Sequence, residues 1–464
     1  MNFDSNVDKL KESIINSTQA LIKIKSFKSK PSEGKPFGQG INDALTYALN
    51  LSAEFGFTTK NLDGYAGYAE FGQGNKLIGI LTHLDVVPEG EGWSSPPYSG
   101  TIIDKKIFGR GTIDDKGPTI AAIYALKAIK DSGVDLNSRV RIIFGLDEES
   151  GSKCMKQYVS NQEIPSCSFV PDANYPVINA EKGILTLNLE KSLEHPSSSI
   201  DITSILGGSK HNNVPDFCEA TIKVKSELAE QIKEKFMDFY NRTQYEMQFD
   251  YFSEKLIIKS YGVSSHASLP DKGTNAISQL MLLLNELNID GDLGEFVRFY
   301  SDKIGMEYTG ASLGCNFSDD VSGNLTLNAG IVNLNNHNIE ITIDIRYPVK
   351  YKGEDILAKI KGSTESFGIS ITNISDTKPL YIPPESKLVK SLMEVYTEFT
   401  GERTRPISIG GGTYARSMPN AVAFGAVFPG EPELAHQKDE YISIDSLIKN
   451  TKIFARAIYK LAQI

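Results

Sequence analysis

Three short apolar runs in the first half of this chain end in clusters of polar groups that no hydrophobic core would accept. Leu77 to Leu81 runs into Thr82-His83-Leu84-Asp85, Val140 to Gly145 delivers Asp147-Glu148-Glu149, and Phe169-Val170 delivers Pro171-Asp172. Runs of this length read as strands buried on both faces, as in the parallel sheets of α/β proteins. Open α/β sheets bind their ligands beyond the carboxyl ends of such strands. The same pattern therefore predicts both the fold class and the place of a site. Helices are expected over Val7 to Ile24, Ile41 to Phe55 and Thr119 to Ile129. The last follows Gly117-Pro118, a proline placed where a helix can start.

From about Thr186 the texture changes. Ile339-Glu340-Ile341-Thr342-Ile343-Asp344-Ile345 alternates strictly, which implies a strand with one buried and one wet face, in a sheet of a different type. A proline break at Tyr381-Ile382-Pro383-Pro384 precedes another helical run, a buried strand over Ala421 to Phe428, and a terminal helix from about Asp445. With 464 residues the chain exceeds one ordinary core. The expected organisation is a catalytic domain with a mixed, mostly parallel sheet flanked by helices (1–185 and 381–464), interrupted by an inserted α+β lid domain with an antiparallel sheet (186–380).

A formal net charge of −10 disfavours nucleic acid, which needs a concentrated basic surface. Cys154, Cys167, Cys218 and Cys315 are scattered without a C-x-x-C pair, so neither a disulfide framework nor a thiolate metal site is expected. The opening Met1-Asn2-Phe3-Asp4 lacks the features of a signal peptide, and no apolar run approaches the ~20 residues of a spanning helix. A cytoplasmic location with no membrane partner is the expectation.

Zinc is held by histidine nitrogen and carboxylate oxygen, with one position left open in catalytic sites. His83 and Asp85, two apart at a strand end, point to the same side in extended geometry, though a lone His-x-Asp is weak evidence. Gly109-Arg110-Gly111-Thr112-Ile113-Asp114-Asp115-Lys116-Gly117 places two more carboxylates in a glycine-rich turn leading into a helix. A single acidic pair is usually a solvated loop, and a glycine-rich turn can be a phosphate loop, but the Gly-Lys-Ser/Thr ending of a P-loop is missing. Like charges packed together call for a cation.

These stretches resemble the dinuclear metallopeptidases that include the V-type bacterial dipeptidases, carnosinases, aminoacylases and succinyl-diaminopimelate desuccinylases. The matching stretches are His83-Leu84-Asp85, Gly109 through Asp114, Glu148-Glu149, Pro171-Asp172-Ala173 and Leu434-Ala435-His436-Gln437. The resemblance implies two divalent metals, zinc first and manganese or cobalt as alternatives. His83 and Asp172 would hold one metal, Glu149 and His436 the other, and Asp114 would bridge them. It also implies Glu148 as the general base acting on a metal-bridging hydroxide, and Asp85 as the carboxylate that orients His83. In the inserted part, Ser264-Ser265-His266-Ala267-Ser268 resembles a lid motif whose histidine stabilises the oxyanion, with a hinge to bring it there. Asn212, Arg346, and Gly411 and Gly412 of Gly410-Gly411-Gly412-Thr413-Tyr414 resemble substrate-binding positions. His195, His211 and His337 match no motif and read as surface residues.

Within the family, an aspartate at position 172 goes with action at a free amino terminus, and Gly323-Asn324-Leu325-Thr326-Leu327-Asn328-Ala329-Gly330 looks like the V-type dipeptidases. The expected activity is hydrolysis of dipeptides by a monomer or homodimer. An N-acyl amino acid deacylase and a catalytically silent binding relative are the alternatives.

Overall fold

The strand Leu77–His83 is buried along its whole length, and it pairs in parallel with Arg139–Gly145 on one side and Cys167–Val170 on the other. In this computed structural model, which describes residues 3–335 and 337–463, Ala421–Phe424 adds a fourth parallel strand beside Cys167–Val170. Thr58–Leu62 and Ala66–Phe71 extend the sheet antiparallel at one edge, and Val177–Glu181 does so beyond Ala421–Phe424. The sheet is thus mixed, with the parallel centre that the apolar runs predicted. Helices Gln39–Glu54, Lys116–Asp131 and Ile444–Ala462 flank it; the middle one, almost entirely buried, packs on the last.

Two expectations are corrected in detail. The helix expected from Thr119 begins at Lys116, with Asp115 at the position before it. Pro118 still falls in the first turn, where its missing N–H costs no ladder bond. The strand expected over Ala421 to Phe428 is broken into Ala421–Phe424 and Ala426–Val427. Between them Gly425 has φ 80°, and a Cβ there would lie 2.3 Å from the Tyr175 ring, so only glycine fits.

The chain divides into two compact units, one of Met1–Ala180, Tyr381–Ser408 and Gly412–Ile464, the other of Glu181–Leu380 with Ile409–Gly411. The second unit is built on an eight-stranded antiparallel sheet. Helices Ser226–Thr243, Ala276–Glu286, Gly291–Lys303 and Gly353–Thr364 supply buried side chains to its core. The strand Asn338–Tyr347 alternates as expected up to Ile343, but Asp344 and Arg346, on the face expected to be wet, are buried as well. All four cysteines are buried free thiols. Among the described residues no helix is long and apolar enough to cross a membrane.

Candidate functional site

In the first unit, the parallel register sets His83 opposite Gly145, so the two strands end side by side and their polar tails leave the sheet together. Gly145 is required there, because a Cβ would lie 2.3 Å from the buried ring of Tyr414. His83 is almost wholly buried. Its backbone N–H donates to Asp115 Oδ2 at 3.1 Å, and its carbonyl accepts from Thr119 Oγ1 at 3.3 Å. Its Nδ1 lies 2.9 Å from the carbonyl oxygen of Asp85. A carbonyl only accepts, so Nδ1 carries a proton, and it is Nε2 that presents its lone pair when the ring is neutral. Nε2 faces Asp114 Oδ1 at 2.8 Å and Asp172 Oδ2 at 3.6 Å.

The carboxylate of Asp85 does something the sequence reading did not assign to it. It stands 3.5 Å from His83 Nδ1, while its two oxygens accept the backbone N–H groups of Glu148 and Glu149, each at 3.1 Å. Asp85 therefore orients the imidazole through its carbonyl and fixes the glutamate pair through its side chain. Glu149 Oε1 meets His436 Nε2 at 3.0 Å, and the same nitrogen is 3.1 Å from Asp114 Oδ2. Among the described residues nothing hydrogen-bonds the Glu148 carboxylate. Asp147, the acid that precedes the pair, is buried against its own partners: Lys28 Nζ at 2.8 Å, the Ser150 hydroxyl and the Lys153 N–H. Its charge is thereby neutralised away from Glu148.

His83, Asp114 and Asp172 form one group, and Asp114, Glu149 and His436 a second; within each, the ligand atoms all lie within 4.8 Å of one another, and Asp114 belongs to both. Each group offers one imidazole nitrogen and two carboxylate oxygens. That donor set suits a divalent cation of the zinc, manganese or cobalt kind, with room for a further ligand. The electrostatics point the same way. Hydrogen bonds that the ring donates to the Asp114 and Glu149 carboxylates push the His436 imidazole up to about 11. Burial disfavours the His83 imidazolium, yet Asp114, Asp172 and Asp85 outweigh it and raise that group well above its usual range. Burial first, and then the Asp114 charge, lifts Glu149 to about 7 and Asp172 to about 6. Burial also raises Glu148 well above the ordinary carboxylate range. Carboxylates buried and crowded in this way favour positive charge among them.

Sequence reasoning missed the residues that brace this arrangement. Glu440 is buried and accepts from Arg110 and from the turn bearing Asp114, and Arg110 reaches the carbonyl of His436. His436 itself sits at φ 64°, a left-handed conformation uncommon for a residue with a Cβ. Lys116 is buried too, its Nζ donating to the Ile24 carbonyl at 2.6 Å, and burial brings it down to about 7. Only the presence of Arg110 inside the glycine-rich turn hinted at such a support.

The second unit gathers the other predicted residues. The Asn212 carbonyl accepts from Ala267 N at 2.9 Å, and Asn213 bridges to His266, so Asn212 and His266 lie on adjacent segments. His266 Nδ1 lies 2.6 Å from Ser268 Oγ and accepts from Ser268 N at 3.2 Å. A ring that accepts at Nδ1 carries its proton on Nε2. Gly410 packs so closely that a Cβ would lie 2.4 Å from Ser268 Cβ, and its carbonyl accepts from Arg346 Nη1 at 2.9 Å. Arg346 is more engaged than expected: Nε and Nη2 bind the two oxygens of Asp344 at 2.6 and 3.0 Å. His211, expected on the surface without a role, places Nδ1 3.2 Å from the same carboxylate. Asn328, in the 323–330 stretch, donates to the carbonyls of His211 and Asn213, holding the loop that carries Asn212. Gly411 belongs to this unit, whereas Gly412 belongs to the first, where a Cβ would meet Arg416 Nε at 2.6 Å.

The sequence matches the profile of peptidase family M20/M25/M40 over residues 79–460. A Bacillus subtilis (strain 168) protein named "Putative dipeptidase YtjP" is 41% identical over 470 residues, covering 100% of both chains. A Staphylococcus saprophyticus relative with the same description is 37% identical, covering 98% of each. Among solved structures, human carnosine dipeptidase 1 aligns with a TM-score of 0.54 at 14% identity, over 100% of this chain and 99% of the other. The yeast (Saccharomyces cerevisiae) di-peptidase Dug1p aligns at 0.57 with 13% identity, over 100% and 98%. These two likenesses show the fold alone. The profile match across most of the length, relatives alike from end to end, and the paired groups of candidate metal ligands lead to one conclusion: the chain belongs to peptidase family M20/M25/M40 and is a metal-dependent peptidase.

Proposed function

We propose that this protein hydrolyses the amide bond of dipeptides with a free amino terminus, using two divalent cations, zinc in the first place. The observation that carries the reading is the pair of ligand groups sharing Asp114, with an unbonded carboxylate, Glu148, supplied by the residue next to Glu149. The aspartate at position 172 and the description given to the Bacillus subtilis relative support a dipeptide substrate.

In this reading His83 and Asp172 hold one cation, Glu149 and His436 the other, and Asp114 serves both. Such cations supply Lewis acidity and bring the pKa of a water down to about 7. The chain supplies the rest. Glu148, its backbone fixed by Asp85, takes the proton of the attacking water and passes it to the leaving amine. His266, with Nε2 protonated, donates to the oxyanion that develops on the scissile carbonyl. Asn212, Arg346, Gly411 and Gly412 bind the substrate. Arg346 spends three of its five N–H donors on Asp344 and Gly410, so the remaining two are those available to a terminal carboxylate.

The test is hydrolysis of a dipeptide panel, with free and N-acetylated amino termini, by metal-free protein reloaded with zinc or manganese. Cleavage restricted to free-amine dipeptides is expected. Cleavage restricted to the acetylated ones would make the protein a deacylase, and metal uptake without turnover would make it a binding relative.

A second expectation concerns protons. Cations bind only deprotonated ligands, and in the cation-free site His436 is raised to about 11, Glu149 to about 7 and Asp172 to about 6. At neutral pH, loading must therefore expel protons. Each proton expelled makes the apparent affinity rise about tenfold per pH unit, so it weakens as pH falls. Calorimetry of zinc binding in buffers of different ionisation enthalpy counts those protons. A pH-independent affinity without proton release would contradict the charge arrangement described.

A further inference from the structure

Arg110 lies in the turn that carries Asp114, and Glu440 lies four residues beyond His436; both are buried. Glu440 Oε2 accepts from Arg110 Nη1 at 2.7 Å and from Gly111 N at 3.1 Å, while Oε1 accepts from Ile113 N at 2.9 Å. The guanidinium also donates to the carbonyls of His436 and Gln437, both at 3.2 Å, and of Glu89 at 3.3 Å. The Trp93 ring stands 5.2 Å from its Cζ.

We propose that Arg110 and Glu440 are positioning residues of the metal centre: together they lock the turn bearing Asp114 to the turn bearing His436, and Arg110 governs occupancy of the cation position served by Asp114, Glu149 and His436. This rests on the dinuclear reading above.

The residue types are the ones the task needs. Both oxygens of Glu440 accept, so an amide in its place would turn one N–H group toward a donor. Arginine's planar fork reaches a carboxylate and several carbonyls at once, which a lysine ammonium on a flexible stem cannot do. A buried ion pair of this kind is weak evidence for stability, and its partners here are specific. One arm holds the backbone of His436, whose left-handed conformation needs support from its surroundings. His83 is held by Asp115, the Asp85 carbonyl and Thr119, without Arg110. A lesion at Arg110 should therefore be felt unequally by the two cation positions.

The experiment is zinc titration of the metal-free wild type, Arg110→Lys and Glu440→Gln by calorimetry, with bound zinc measured by elemental analysis and folding followed by circular dichroism. Fewer than two equivalents in the wild type would overturn the dinuclear reading itself. With two, Arg110→Lys is expected to bind one equivalent as the wild type does and the other about 10–100-fold more weakly, the usual cost of losing an outer support of a metal ligand. Glu440→Gln, which loosens the turn of the shared Asp114, should weaken both. Wild-type affinity for both equivalents in Arg110→Lys, or equal loss of both, overturns the proposal. If a single variant fails to melt cooperatively, Arg110→Met/Glu440→Gln, which leaves no unpaired buried charge, takes its place: weaker binding of both equivalents is expected, and wild-type affinity for both overturns the proposal.

Discussion

Replacing Glu148 with glutamine should leave the bound metal unchanged and lower kcat by about 10²–10⁴-fold, the range that a positioned acid–base group contributes. Glu148 belongs to neither candidate ligand group, and the contact that holds it, its backbone N–H on Asp85, survives the substitution. What disappears is a carboxylate able to accept a proton. In the cation-free protein burial raises this group well above the carboxylate range, with the Asp172, Glu149 and Asp114 charges adding to it, so cations alongside are what would keep it ionised at neutral pH. Steady-state kinetics beside elemental analysis decide the matter. A variant that loses metal would make Glu148 a ligand, and one that keeps its kcat would remove it from the chemistry.

Asp114→Asn should have the larger effect, with both equivalents of metal lost together. Asp114 is the residue common to both groups, 2.8 Å from His83 and 3.1 Å from His436. Metal ions contribute several kcal/mol to the stabilisation of such transition states, and each 1.4 kcal/mol is a factor of ten, so kcat/KM should fall by about 10³–10⁴-fold or more. The variant also carries a signature independent of turnover. Asp114 is the foremost cause of the raised His436 pKa, so in the metal-free variant that imidazole should titrate well below its wild-type value of about 11. Nuclear magnetic resonance of the histidine ring reads that directly. Retention of one tightly bound equivalent would mean that Asp114 does not serve both positions.

The parts legible in the sequence are those written in local pattern. An apolar run of strand length followed by a histidine or acids announces both a buried strand and what stands at its end, and His83, Glu148, Glu149 and Asp172 emerge from the parallel core in that way. The glycine-rich turn marks Asp114 and Asp115 as a pair, but the choice of Asp114 and the part of His436 come only through resemblance, because one lies in a turn and the other in a loop with no periodicity. What stayed hidden is made of contacts between distant parts of the chain. Glu440 is separated from Arg110 by 330 positions, and nothing near it in sequence marks it as the acceptor for that turn. The roles of Asp85 depend on which of its oxygens meets which N–H, a matter of register and not of residue type. Asp344 breaks the expected wet face of its strand because Arg346 and His211 satisfy its charge in place of water. The break at Gly425 follows from the ring of Tyr175 lying where a Cβ would be.

The pairing of Lys28 with Asp147 bears on how such a chain can change over generations. The charge that Asp147 brings to the foot of the loop bearing Glu148 and Glu149 is matched by a lysine from a different part of the chain, 119 positions earlier. Loss of either partner alone leaves an uncompensated charge at or near a buried place, whereas exchange of both for neutral groups removes the requirement altogether. The two positions should therefore drift as a couple. Homologues with a neutral residue before the glutamate pair should be free to carry almost anything at position 28, and those that keep the acid should keep a base there.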